Sequence, residues 1–113
     1  KLAVTRRMLA RYPFVMTHFN GTDEAAHRHD YEGKARFISR IDREFLGPLL
    51  ERGTDSLQIV ICGDHVTSSV TGRHTRGKGP VLSAWISGTG TAAPVRGDDD
   101  LLEFIRKVGK QNG

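Results

Sequence analysis

Hydrophobic and polar positions change their rhythm several times along the chain, and each rhythm predicts an element. Over residues 2–11, Leu2, Val4, Met8 and Leu9 mix with Arg6, Arg7 and Arg11 in the spacing of an amphipathic helix that Pro13 ends, with the arginines on a solvated face. Residues 14–19 then read as a strand, carrying His18 and Asn20 toward a loop rich in Asp, Glu and His. From Tyr31 the period lengthens. Phe37, Ile38, Ile41, Phe45 and Leu49 recur at helical spacing, with Lys34, Arg36, Arg40, Asp42 and Arg43 between them, so this stripe is read as core. Gly47-Pro48 is expected to kink or shorten that helix, and residues 51–55 to connect it to the next strand.

The run Leu57-Gln58-Ile59-Val60-Ile61-Cys62 is short, β-branched and uncharged, which predicts a strand buried on both faces in a parallel-type sheet. Residues 81–86 return as a strand after a long polar linker, 67–79, that holds Arg73, Arg76 and Lys78 around His74. Residues 88–97 are turn-rich. Residues 98–108 read as a closing helix whose acidic N-terminus suits the helix dipole.

The candidate chemistry sits where apolar runs stop. Gly63 lets the backbone turn after the Leu57 run, and Asp64 and His65 follow at once. An open α/β sheet places its ligands at such strand ends. Asp23 and His27 lie four apart after the earlier apolar run, so a helical turn there puts carboxylate and imidazole on one face, able to converge on a single cation. His74 follows His65 by nine positions. Mixed imidazole and carboxylate donors suit zinc or manganese better than magnesium or calcium, whose sites favour oxygen. His18 reads as a packed or hydrogen-bonding residue, and His29 as a neighbour of the ligands rather than one of them.

These motifs together resemble a known family. Thr22-Asp23-x-x-x-His27, Gly63-Asp64-His65-x-Thr67, and His74-Thr75 with Pro80-Val81 six residues on are similar to the C-terminal half of the alkaline phosphatase superfamily, above all to cofactor-independent phosphoglycerate mutases of the archaeal type. The resemblance covers most of residues 13–108. It implies a three-layer α/β/α fold, of which residues 1–113 form only the C-terminal portion. It further implies two divalent metal ions, manganese or zinc: one held by Asp23, His27 and His74, the other by Asp64 and His65. The family's phosphorylated Ser or Thr nucleophile, and an Asp near the N-terminus, find no counterpart in this chain. Ala26, Ser68 and Lys78 stand where the family commonly has Gly, Pro and Pro, each beside a ligand rather than on one.

The implied activity is metal-dependent phosphoryl transfer on a phosphorylated small molecule, with Arg76 and Lys78 as candidate phosphate contacts. A phosphatase or phosphonate-processing hydrolase would use the same ligands. A catalytically silent metal-binding or interaction domain would keep the ligands without the nucleophile, and this chain alone is expected not to turn over. An N-terminal fragment or a second chain is the expected partner.

Composition adjusts this picture in three places. At 113 residues the chain suffices for one small domain and falls short of a two-domain mutase. The net charge of +4 is scattered and accompanied by few aromatics, which argues against nucleic acid and fits attraction of phosphorylated metabolites. Cys62 is single, excluding an internal disulfide and pointing to the cytoplasm; in its apolar run it reads as a small hydrophobe. No apolar stretch approaches the roughly 20 residues that span a bilayer.

Overall fold

A computed structural model describes residues 1–51, 57–86 and 95–96. The expected connection over 51–55, the turn-rich stretch 88–97 and the closing helix 98–108 fall largely or wholly outside the described residues. The chain divides into two compact units: Lys1–Gly53 with Thr67–Arg73, and Thr54–Val66 with His74–Gly113.

The first unit is helical: α1 (Leu2–Leu9), α2 (Gly21–His27), α3 (Tyr31–Ile41), a π-helical segment (Asp42–Leu46) and α4 (Gly47–Leu50). The inward side of α1 is not the one that apolar residues alone suggest. Val4 is exposed, whereas Thr5 is buried and its hydroxyl shares a 2.7 Å hydrogen bond with that of Thr17. Arg6 leaves the solvated face expected of it and donates to the Pro48 carbonyl. A paired hydroxyl is buried at little cost, so hydrogen bonding turns Thr5 inward, whereas Arg6 pairs one guanidinium nitrogen and leaves Nε buried without a hydrogen-bond partner among the described residues.

Helix α3 starts on an N-cap, Asp30, whose Oδ1 accepts the Gly33 N–H at 2.7 Å. Gly47-Pro48 does not end the helical path. The preceding turn widens instead: the Gly47 N–H reaches back five residues to the Asp42 carbonyl, and Pro48 falls in the first turn of α4, where its missing N–H costs nothing. Phe45 is buried and meets the Phe19 ring edge-on, with centroids 5.0 Å apart, while Ile38 is exposed rather than part of the core stripe.

Residues 14–19 run without strand assignment among the described residues, contrary to the expected strand. Their burial nevertheless alternates, with Phe14, Met16 and His18 exposed and Val15, Thr17 and Phe19 half-buried. The period of two is there; the backbone ladder that defines a strand is not.

The second unit carries a three-stranded sheet of order β1 (Leu57–Cys62), β4 (Val81–Ile86), β5 (Val95–Arg96), and β2 (Val66–Thr67) and β3 (His74–Thr75) form a two-stranded one. β1 pairs antiparallel with β4, Leu57 opposite Ile86 and Cys62 opposite Val81. The expectation of a parallel-type strand buried on both faces is corrected here: β1 is half-buried at its start and exposed at Ile61 and Cys62. A parallel return needs a crossover, usually helical, whereas residues 63–80 form no helix before β4 runs back along β1. Ile61 and Leu82 face each other across this ladder and are both exposed, while Ser83 is buried.

Candidate metal centre

Helix α2 delivers the first pair of donors. Asp23 and His27 occupy i and i+4 positions, and His27 Nε2 stands 3.3 Å from Asp23 Oδ2, as the spacing predicts. The other ring nitrogen, Nδ1, lies 2.7 Å from the Gly72 carbonyl. A carbonyl only accepts, so Nδ1 carries the proton. Nε2 then faces the Asp23 carboxylate. Two ligands held at about 2.0–2.2 Å from a tetrahedral ion are themselves about 3.4 Å apart, so this pair fits one. Backbone carbonyls are a usual partner for the far nitrogen of a metal-bound imidazole, fixing its tautomer.

The carboxylate is held as well. The Thr67 hydroxyl donates to Asp23 Oδ1 at 2.6 Å, and the Lys34 ammonium donates to the Thr67 carbonyl at 2.9 Å. Sequence reasoning assigned Thr67 no role; its signal was its place two residues beyond the Asp64-His65 pair.

The turn over residues 68–73 organises this face of the helical unit. Ser68 N–H bonds the Arg73 carbonyl at 3.0 Å, Gly72 N–H bonds the Ser68 carbonyl at 2.8 Å, and the Ser68 hydroxyl accepts from the N–H groups of Val70 and Thr71. Ser68, one of the departures from the resemblance, thus builds the turn by hydrogen bonds that proline could not make. Gly72 is left-handed at φ +64°, and a Cβ there would lie 2.9 Å from His29 Nε2 and 3.1 Å from the His27 carbonyl.

His29 is no candidate ligand in this arrangement. It closes α2 in a Schellman motif at φ 60°, with its own N–H on the Ala26 carbonyl and that of Asp30 on the Ala25 carbonyl. Its Nδ1 donates to the Val70 carbonyl at 3.1 Å, against the same turn that holds His27. His18 is exposed, with its carbonyl accepting from the Lys1 ammonium.

The second unit holds the other donors. Asp64 Oδ1 accepts the His65 N–H at 3.0 Å, and His65 Nε2 stands 3.7 Å from Asp64 Oδ2. The His65 ring stacks on that of His74, with centroids 4.0 Å apart and planes 28° from parallel. Upstream, Gly63 N–H bonds the Pro80 carbonyl at 3.1 Å, and Gly79 approaches so closely that a Cβ would meet the Gly63 carbonyl oxygen at 2.7 Å. Arg76 and Lys78 are exposed in the same unit. Cys62 reaches the surface too; its thiol pKa is raised above the ordinary value, first by partial burial and then by the Asp64 charge.

Carboxylate–imidazole pairs, placed here by a helix turn and by a loop after a strand, are donors of the kind that divalent transition metals accept. The chain belongs to the Metalloenzyme superfamily, whose family model matches residues 2–97. That family implies a divalent metal, and helices with small sheets are what a portion of its alkaline phosphatase-like α/β fold contains.

Among curated proteins, the chain is 40% identical over 83 residues to the 2,3-bisphosphoglycerate-independent phosphoglycerate mutase of Methanopyrus kandleri, covering 72% of this chain and 19% of that protein. It is 33% identical over 113 residues to the 2,3-bisphosphoglycerate-independent phosphoglycerate mutase 1 of Methanothermobacter thermautotrophicus, covering 100% of this chain and 25% of that protein. The corresponding mutase of Pyrobaculum islandicum is 37% identical over 82 residues, 73% of this chain and 19% of its own. The chain therefore spans between 19% and 25% of the length of these relatives. No solved structure gives a significant match. Among the described residues, no helix is long and apolar enough to cross a membrane.

Proposed function

We propose that this chain is the C-terminal metal-binding portion of a phosphoglycerate mutase-like enzyme that transfers a phosphoryl group on a phosphorylated small molecule. Asp23, His27 and His74 hold one divalent ion and Asp64 and His65 the other, manganese or zinc in both cases. When bound, such a pair of ions supplies Lewis-acid stabilisation of phosphate oxygens and lowers the pKa of an attacking hydroxyl. The residues of this chain orient the ions' ligands, and Arg76 and Lys78 offer positive charge to the substrate phosphate. The nucleophile comes from polypeptide outside these 113 residues, in the same or another molecule. The alternating exposure of residues 14–19 supports such a completion, because one side of that segment presents Phe14 and Met16 to solvent.

The observation that carries this reading is the Asp23–His27 pair. Its atoms are spaced as ligands of one ion, and its chain is similar to archaeal mutases over 72% to 100% of its length. The test is metal content by elemental analysis of the wild type and of a double variant, Asp64→Asn with His65→Ala. About two ions per chain should fall to about one. Unchanged stoichiometry in the double variant would sink the assignment. Interconversion of 2- and 3-phosphoglycerate, measured once the chain is joined to the remainder of a mutase, separates this reading from a phosphatase on the same scaffold, which would release inorganic phosphate instead.

A further inference from the structure

We infer that Thr67 is a positioning residue, which sets the Asp23 carboxylate before any ion arrives. The inference rests on the proposed metal role of Asp23. Its starting point is a short hydrogen bond from a buried residue: Thr67 is 5% exposed and its hydroxyl donates to Asp23 Oδ1 at 2.6 Å. A carboxylate on a helix surface otherwise samples several rotamers. With Oδ1 engaged by Thr67, Oδ2 is the oxygen turned toward His27 Nε2, 3.3 Å away.

The donor is itself fixed. The Thr67 carbonyl accepts from Lys34 Nζ at 2.9 Å, so a residue of α3 holds the backbone whose side chain holds the carboxylate of α2. Five residues further along the same segment, the Gly72 carbonyl accepts from His27 Nδ1. One stretch of chain, 67–72, thereby sets both members of the pair: it selects the carboxylate oxygen with a donor and the imidazole tautomer with an acceptor. Ordering the two side chains in advance removes that entropy cost from binding.

The experiment compares Thr67→Val, which keeps the shape and removes the hydroxyl, with Thr67→Ser, which keeps the hydroxyl. Mn2+ affinity is read by electron paramagnetic resonance, and the Asp23 χ1 rotamer by three-bond couplings in metal-free protein. Thr67→Val should weaken Mn2+ binding about 10–100-fold and average the Asp23 rotamer, while Thr67→Ser stays close to wild type in both. Wild-type affinity in Thr67→Val, or an Asp23 rotamer still locked there, overturns the inference. Should the wild type bind no Mn2+ while Asp23 is locked and Thr67→Val releases it, the metal reading fails and the positioning stands. If Thr67→Val does not fold, Thr67→Ala reads the same loss of hydroxyl.

Discussion

Asp23–His27 and Asp64–His65 present the same pair of functional groups and are held in different ways. The first pair sits on a helix turn, and both of its members are tied to a second segment: Asp23 to the Thr67 hydroxyl, His27 to the Gly72 carbonyl. The second pair consists of chain neighbours on a loop, held by a backbone N–H on Asp64 Oδ1 and a ring stack on His74, with the Asp64 side chain 65% exposed. A helix makes i and i+4 groups converge without help, so tertiary contacts are left to choose oxygen and tautomer. Adjacent residues start out pointing apart, and here the local backbone brings them together. The first pair should therefore respond to changes in a segment distant in sequence, the second to changes near its own loop.

The largest effect is expected from Gly72→Ala. The substitution forces a Cβ into left-handed backbone and against His29 and the His27 carbonyl, at a cost of about 1–3 kcal/mol. Gly77→Ala is the matching change in the other unit. There the nearest atom to the new Cβ would be Val66 Cγ2 at 3.9 Å, an ordinary contact, and the expected change is within about 0.5 kcal/mol. Urea unfolding measures both, and the 15N shift of His27 Nδ1 should move only in Gly72→Ala. Equal destabilisation by the two changes would remove the basis for calling the first pair the more deeply tethered.

Ser68→Ala should act on the same turn more gently. It deletes a hydroxyl that accepts from the N–H groups of Val70 and Thr71, but both bonds are exposed, so water replaces much of what is lost. A destabilisation of about 0.5–1 kcal/mol is expected, with the His27 tautomer retained because the Ser68–Arg73 and Gly72–Ser68 backbone bonds persist. Loss of the Nδ1–H tautomer in this variant would mean that the hydroxyl, and not the backbone, sets the position of the Gly72 carbonyl.

How much of this is written in the sequence differs between the two units. Asp23 and His27 were legible because helical period converts a spacing of four directly into proximity. Thr67 was visible only as a letter in a motif, since its hydrogen bond spans 44 positions that no local pattern encodes. Thr5 is buried while Val4 is exposed because a hydroxyl partner on Thr17 outweighed side-chain hydrophobicity. For β1, a short, uncharged, β-branched run specified a strand but not its direction of pairing, which depends on the connection between β1 and β4. Residues 14–19 show the converse: the expected strand is absent although burial alternates there, because the ladder depends on a neighbouring strand that local sequence cannot supply.

The smallest expected effect tests the second pair through a neighbour. Partial burial raises the Cys62 thiol pKa above its ordinary 9.0, and the Asp64 charge raises it further by disfavouring a second negative charge nearby. Asp64→Asn removes the lesser cause and leaves the greater, so the pKa should fall slightly yet stay above the ordinary value. The rate of alkylation by iodoacetamide against pH reads this midpoint. The sign for stability follows from linkage. A thiol that ionises later in the folded state than in the unfolded one contributes stability fully present below the unfolded pKa and lost as pH rises through the folded one. The loss therefore belongs above pH 9, and it should shrink in Asp64→Asn. A thiol midpoint unmoved by Asp64→Asn would show that the Asp64 carboxylate is turned away from β1, and would reverse the view of this pair as one governed by its immediate backbone.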